Sequence, residues 1–125
     1  MSLDGFVDHC LELLSPLGRP RARRMFGGHG LYLDDLFIAI ISGEQLYLKT
    51  DAGTRERFTA AGGQPFTYLR QGHAVAALGF HTAPPEAMES PDGMRPWARL
   101  ALQAAVAARA QKPAKPAKKT PPRRR

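Results

Sequence analysis

Leu3, Phe6, Val7, Cys10, Leu11 and Leu14 recur at i, i+3, i+4, i+7, i+8 and i+11, the stripe of an amphipathic helix. Ser2 is placed to cap it, Asp4 suits its first turn, and Pro16, Gly18 and Pro20 end it. The period then shortens. Residues 31–33, 36–41 and 46–49 are rich in aliphatic and aromatic side chains and are separated by short turn signals, which predicts three strands of an antiparallel meander.

The turns decide which side chains share a face. A two-residue turn at Asp34-Asp35 sets Leu33 opposite Leu36 and Leu31 opposite Ile38. Leu31, Leu33, Leu36, Ile38 and Ile40 then form a core face, with Tyr32, Phe37, Ala39 and Ile41 behind it. Two registers are open at the next turn. A three-residue loop, Ser42-Gly43-Glu44, adds Leu46 and Leu48 to the core face and leaves Tyr47 and Lys49 beside Tyr32 and Phe37. A two-residue turn on Gly43-Glu44 inverts that assignment, because a slip of one residue flips every side chain. The three-residue loop is preferred, since it separates aliphatic from aromatic and polar residues.

Asp51 is placed to cap a short helix running to Ala61, with Phe58 inward and Gly62-Gly63 closing it. Residues 65–69 and 74–80 read as two further strands around a turn at Gln71-Gly72, making five. Ser90-Pro91 signals a final helix with Trp97, Leu100, Ala101, Ala104 and Ala108 on one face. Pro96 predicts either a start near Met94 or a kink, because an internal proline loses a backbone hydrogen bond at a cost of about 3 kcal/mol. The predicted class is therefore α+β, with the order α-β-β-β-α-β-β-α.

Charge divides the chain. Of its 18 basic residues, seven (Lys112, Lys115, Lys118, Lys119, Arg123, Arg124 and Arg125) lie in residues 112–125, where there is no acid; residues 1–111 hold 11 basic against 11 acidic. The body, 1–111, is a neutral domain, and the net charge of +7 sits in a Lys/Pro/Ala/Arg tail expected to be disordered. Such a tail suits sequence-independent contact with nucleic acid through those seven side chains. The cluster Arg19, Arg21, Arg23 and Arg24 reads instead as a solvated linker with one or two arginines paired to body carboxylates. One cysteine, no apolar run of bilayer length and an acidic amino terminus predict a cytoplasmic protein without membrane attachment.

Little in the sequence suggests catalysis. Gly27, Gly28 and Gly30 resemble a phosphate loop only in glycine content: no Gly-Lys-Ser/Thr follows, and the loop leads into a strand. They are better read as permitting a bulge or close backbone contact. His9, His29, His73 and His81 lack zinc-ligand spacing, and Cys10 on the apolar stripe predicts a buried thiol. No metal, cofactor or catalytic residue is assigned, and the expectation is a non-enzymatic protein.

Arg24-Met25-Phe26-Gly27-Gly28 followed by Gly30, Tyr32, Leu46-Tyr47-Leu48-Lys49 and Asp51, supported by Pro65-Phe66-Thr67-Tyr68 and Trp97-Ala98, resembles the amino-terminal domain of the TfoX/Sxy family. The resemblance covers roughly residues 3–110. It implies a two-layer α+β domain like the type III secretion chaperones, here standing alone with the basic tail in place of the family's carboxy-terminal domain. It also implies a regulatory or adaptor role linked to transcription or competence. Family members often carry Asp-Gly where this chain has Asp34-Asp35, so an aspartate must take a positive φ. Tyr32, Phe37 and Tyr47, sharing a sheet face away from the helices, are the expected surface for a protein partner or a homodimer. The alternative reading is a small-ligand or enzymatic site at the 24–30 loop.

Overall fold

A computed structural model describes residues 3–25 and 27–111. The expected Ser2 cap, Phe26 of the family motif and the whole of the 112–125 tail lie outside the described residues.

The fold is α+β, with helices on one side of an antiparallel sheet. The sheet has six strands, not five: β1 (Pro20–Met25), β2 (Gly28–Leu33), β3 (Leu36–Ser42), β4 (Gln45–Lys49), β5 (Pro65–Arg70) and β6 (His73–His81), in the spatial order β1-β2-β3-β4-β6-β5. The helices are α1 (Leu3–Leu14), α2 (Arg55–Ala60) and α3 (Pro91–Gln111), so the order is α-β-β-β-β-α-β-β-α. The extra strand is the arginine-rich stretch expected to be a linker. It pairs with β2 from Pro20↔Leu33 to Met25↔Gly28 and forms an edge of the sheet. An edge strand has one partner and tolerates both proline and charge, which protect it from pairing with other chains. Burial alternates as far as Arg23, with Ala22 packed against the core and Arg21 and Arg23 exposed, and Arg24 is exposed as well. Arg21 does pair with a carboxylate, that of Asp35, at 3.0 Å.

The register of the meander also differs from expectation. Tyr32 pairs with Phe37, but Leu31 pairs with Ala39, so Ile38 is an extra residue in β3. This is a β-bulge. Ile38 and Ala39 are both fully buried, and beyond them Ile41 faces the core while Ile40, paired with Gly30, faces away. The next turn contains Gly43-Glu44 alone, since Ser42 pairs with Gln45. This two-residue turn inverts the register once more, so Leu46 and Leu48 enter the core and Tyr47 lies beside Ile40.

Between sheet and helices lies a core that includes Val7, Cys10, Leu13 and Leu14 of α1 and Phe58 of α2, with Leu31, Leu33, Ile41, Leu46 and Leu48 beneath them. The long helix α3 contributes a stripe of small residues, with Met94, Ala98, Ala101, Ala104 and Ala105 buried. It lies against β3, β4 and α1. Alanine brings a helix axis close to a sheet, which leaves the larger volumes to the strands. Trp97 and Leu100 are only half-buried at the margin of this stripe. The helix begins at Pro91 and runs through Pro96. Ser90 caps it, its Oγ accepting the Gly93 N–H at 3.0 Å. At the start of α2, Asp51 Oδ1 accepts the N–H groups of Gly53 and Thr54 at 2.9 and 3.0 Å, and Thr54 Oγ1 accepts that of Asp51. Among the described residues no helix is long and apolar enough to cross a membrane.

Candidate functional site on the open face of the sheet

The helices cover one side of the sheet. Alternation along the strands places Arg21, Arg23 and Met25 of β1, Tyr32 of β2, Phe37 and Ile40 of β3, Tyr47 and Lys49 of β4, and Phe66, Tyr68 and Arg70 of β5 on the other. The rings meet in two groups. Tyr32 stacks on Phe37 with centroids 5.1 Å apart, and Phe37 lies 5.4 Å from Phe80 of β6. Tyr47 meets Phe66 edge-on at 5.1 Å, and Phe66 lies 6.1 Å from Tyr68. Two cations flank them, the Arg23 guanidinium 5.9 Å from the Tyr32 centroid and Lys49 Nζ 5.2 Å from that of Phe80.

A groove of about 600 Å³ runs along this face between Met25, Phe37 and Ile40 on one side and Phe66, Tyr68, Ala77 and Phe80 on the other. Its origin lies in the joint between β4 and β6. These strands pair only through Leu48↔His81 and Lys49↔Phe80. Beyond that joint β6 pairs with β5, after an irregularity in which Pro65 opposes His81 and Phe66 opposes Ala77. The intervening carbonyls turn toward residues outside β5: Leu78 O accepts from Thr50 Oγ1 at 2.9 Å and Arg55 Nε at 3.1 Å, and Gly79 O accepts the Thr50 N–H at 2.8 Å. The β5–β6 hairpin and the rest of the sheet thus form two walls.

The glycines of the 24–30 loop shape the floor and the turn. Gly27 has φ +77° in the turn from β1 to β2. A Cβ at Gly28 would stand 2.1 Å from the carbonyl oxygen of Ile41. One at Gly30 would stand 2.7 Å from the Met25 methyl and 3.0 Å from the Phe37 ring. Absence of a side chain at Gly30 is what lets Met25 and Phe37 close over the strand, so the motif builds one wall of the groove. Arg24, paired with His29, is exposed. His29 Nδ1 is buried and finds no hydrogen-bond partner among the described residues.

Other reactive side chains stand apart. Cys10 is fully buried, and desolvation pushes its thiol pKa up to about 12. His9 Nε2–H donates to the Met88 carbonyl at 2.7 Å, tying α1 to the 3-10 turn before α3. His81 is buried against Phe58 and Thr50, and burial, followed by the nearby Arg55 charge, lowers its pKa. Among the described residues no three of His, Cys, Asp and Glu gather as metal ligands would.

Of the expected surface, Tyr32, Phe37 and Tyr47 are half-buried on the same side of the sheet. Sequence reasoning omitted Met25, Ile40, Phe66, Tyr68 and Phe80 from it. Alternation of Phe66 and Tyr68 puts them on a common face of β5, but only the β4–β6 joint brings that face beside Tyr47. The seven tail cations proposed for nucleic acid lie outside the described residues.

The family model of the TfoX N-terminal domain matches residues 12–105. No curated protein matches the chain.

Proposed function

The chain belongs to the TfoX N-terminal domain family, and from that premise we propose a non-enzymatic regulatory or adaptor protein of the cytoplasm, linked to transcription or competence, that docks a protein on the open face of its sheet. The observation that carries this reading is the groove of about 600 Å³ walled by aromatic and aliphatic side chains. Concave apolar surface of this kind is a favourable place to bury a partner's side chains. The basic tail adds sequence-independent affinity for nucleic acid, holding the docked partner near it.

Two measurements test the two halves. Replacing the seven tail cations by glutamine should remove nearly all duplex DNA binding in a salt-titrated gel shift, along with a salt slope of about −6. Unchanged affinity would eliminate the tail as the binding element. Sedimentation of wild type and Phe37→Arg, each checked for intact fold by circular dichroism, tests whether the partner is a second copy. A dimer in the wild type that becomes a monomer in the variant supports self-association; equal monomer mass removes it and leaves a different protein as the occupant.

A second reading has one specific observation behind it. Met25 and Gly28 of the glycine loop line the groove, whose size falls within the range of small-molecule pockets. Stoichiometric binding of anilinonaphthalene sulfonate to the native protein, lost in Ala77→Trp, would favour a small apolar ligand.

A further inference from the structure

We propose that the open face docks an acidic amphipathic protein segment, one that presents two or three bulky apolar side chains with Asp or Glu beside them. This rests on the protein-docking reading above and specifies the chemistry of the partner.

Charge is the first argument. Residues 1–111 hold as many acids as bases, yet the two are not mixed over the fold. The six strands contain Arg21, Arg23, Arg24, Lys49 and Arg70 and no Asp or Glu. Register places four of these five cations, all but Arg24, on the open side. Arg23 and Lys49 lie against the aromatic rings bordering the groove, and Arg70 is exposed at the end of β5. Asp34, Asp35 and Glu44 lie in the turns between strands, and Asp35 is engaged by Arg21. An apolar groove with a cationic margin selects for apolar groups flanked by negative charge, and like charge opposite the margin disfavours other partners.

Two occupants are thereby disfavoured. A second copy presenting the same face would bring an equally cationic margin against this one. The chain's own tail, with seven bases and no acid, would be repelled.

The groove chemistry favours protein over nucleic acid, the other common polyanion. Single strands bind by stacking bases on free aromatic faces, whereas here Tyr32 and Phe37 stack on each other at 5.1 Å with 24° between their planes. The lining adds Met25, Ile40 and Ala77, which stack poorly on bases, and its side-chain polar groups are the Ser42, Thr67 and Tyr68 hydroxyls, with no charged group among them. Met, Ile and Phe instead suit aliphatic and aromatic side chains inserted from an amphipathic segment.

The test is a selection of random displayed peptides on the full-length protein, with Ala77→Trp as a groove-filling control and Arg23→Glu/Arg70→Glu as a margin control whose substitutions are at exposed positions. Both variants are required to melt like the wild type. The expected result is enrichment of peptides combining Leu, Ile, Phe or Trp with Asp or Glu. A synthetic representative should lose binding to Ala77→Trp and weaken by about tenfold or more on Arg23→Glu/Arg70→Glu. Groove-dependent peptides that are neutral or basic would overturn the acidic assignment while leaving protein docking in place. No groove-dependent peptide at all would overturn both. In a parallel titration, oligothymidylate binding that disappears in Ala77→Trp would assign the groove to nucleic acid and overturn the proposal.

Discussion

Thr50 Oγ1 lies 3.1 Å from His81 Nδ1 inside the core and also reaches the Leu78 carbonyl oxygen at 2.9 Å. A carbonyl cannot donate and a hydroxyl has one proton, so Thr50 gives its proton to Leu78 and accepts from His81. The imidazole hydrogen is therefore on Nδ1. Burial, with the Arg55 charge second, holds the pKa of His81 below its ordinary value. The folded protein resists the second proton that the unfolded chain accepts near pH 6.5. The stability due to neutral His81 is thus complete above about pH 6.5, falls as pH drops from there through the folded pKa, and levels off below it. Thermal melts between about pH 7.5 and 5 should show a steeper fall for wild type than for His81→Gln. Equal slopes would remove His81 as the titrating group. Thr50→Val should cost about 1–3 kcal/mol at neutral pH, because it leaves a buried N–H without its acceptor.

Gly28 and Gly30 should respond to alanine very differently. A Cβ at Gly28 meets backbone, the Ile41 carbonyl oxygen at 2.1 Å, which cannot move without opening the β2–β3 ladder. Gly28→Ala should cost about 3 kcal/mol or more, read by urea denaturation. At Gly30 the nearest atoms are the flexible end of Met25 and the edge of Phe37. Gly30→Ala should cost about 1 kcal/mol and displace the Met25 methyl, visible as a shift of that resonance in a methyl NMR spectrum. Similar costs at both positions would contradict the close approach at Gly28.

Periodicity in residues 31–49 predicts the strands and the separation of Leu46 and Leu48 from Tyr47, but the structure reaches that separation through two deviations that cancel. The bulge at Ile38 inverts Ala39, Ile40 and Ile41 relative to a regular strand, and the two-residue Gly43-Glu44 turn inverts the chain again. Ile38, Ala39, Ile40 and Ile41 are all apolar, so the sequence offers no polar mark that a residue has changed sides. β1 was hidden for another reason. Its arginines mimic a solvated linker, and only pairing with β2 distinguishes an edge strand from one. The groove was illegible because its walls come from strands far apart in sequence, brought together by the short β4–β6 joint. Local signals predicted Asp51 before α2, Ser90-Pro91 before α3 and the buried Cys10, since each depends on neighbours within a turn or two of helix.

The burial of Cys10 makes a prediction about reactivity. A thiol with its pKa pushed up to about 12 carries almost no thiolate at neutral pH, and full burial blocks any reagent. Reaction with a disulfide reagent such as dithionitrobenzoate should therefore be slow in the native protein and immediate in denaturant. Its native rate should rise in parallel with destabilising substitutions such as Gly28→Ala, since opening of α1 is required. Rapid stoichiometric labelling of the folded protein would contradict the packing of α1 against the sheet.

The Asp34-Asp35 turn carries two non-glycine residues at positive φ, +52° and +67°. The second position of such a turn is ordinarily glycine, which adopts this conformation without a Cβ penalty. Asp35 offsets part of the strain through its ion pair with Arg21, but both side chains are largely exposed and the bridge contributes little. The Arg109 guanidinium binds the Asp35 backbone carbonyl at 3.0 Å, a contact that glycine preserves. Asp35→Gly should therefore stabilise by about 0.5 kcal/mol after allowing for the greater freedom of glycine in the unfolded chain. This corresponds to a rise in Tm of about 2–4 °C for a domain of this size. Asp35→Ala loses the ion pair and keeps the Cβ strain, so it should melt below wild type. Calorimetry of the three proteins should give the order Gly, Asp, Ala from most to least stable, and an alanine variant equal to the glycine one would show that positive φ carries no cost at this turn.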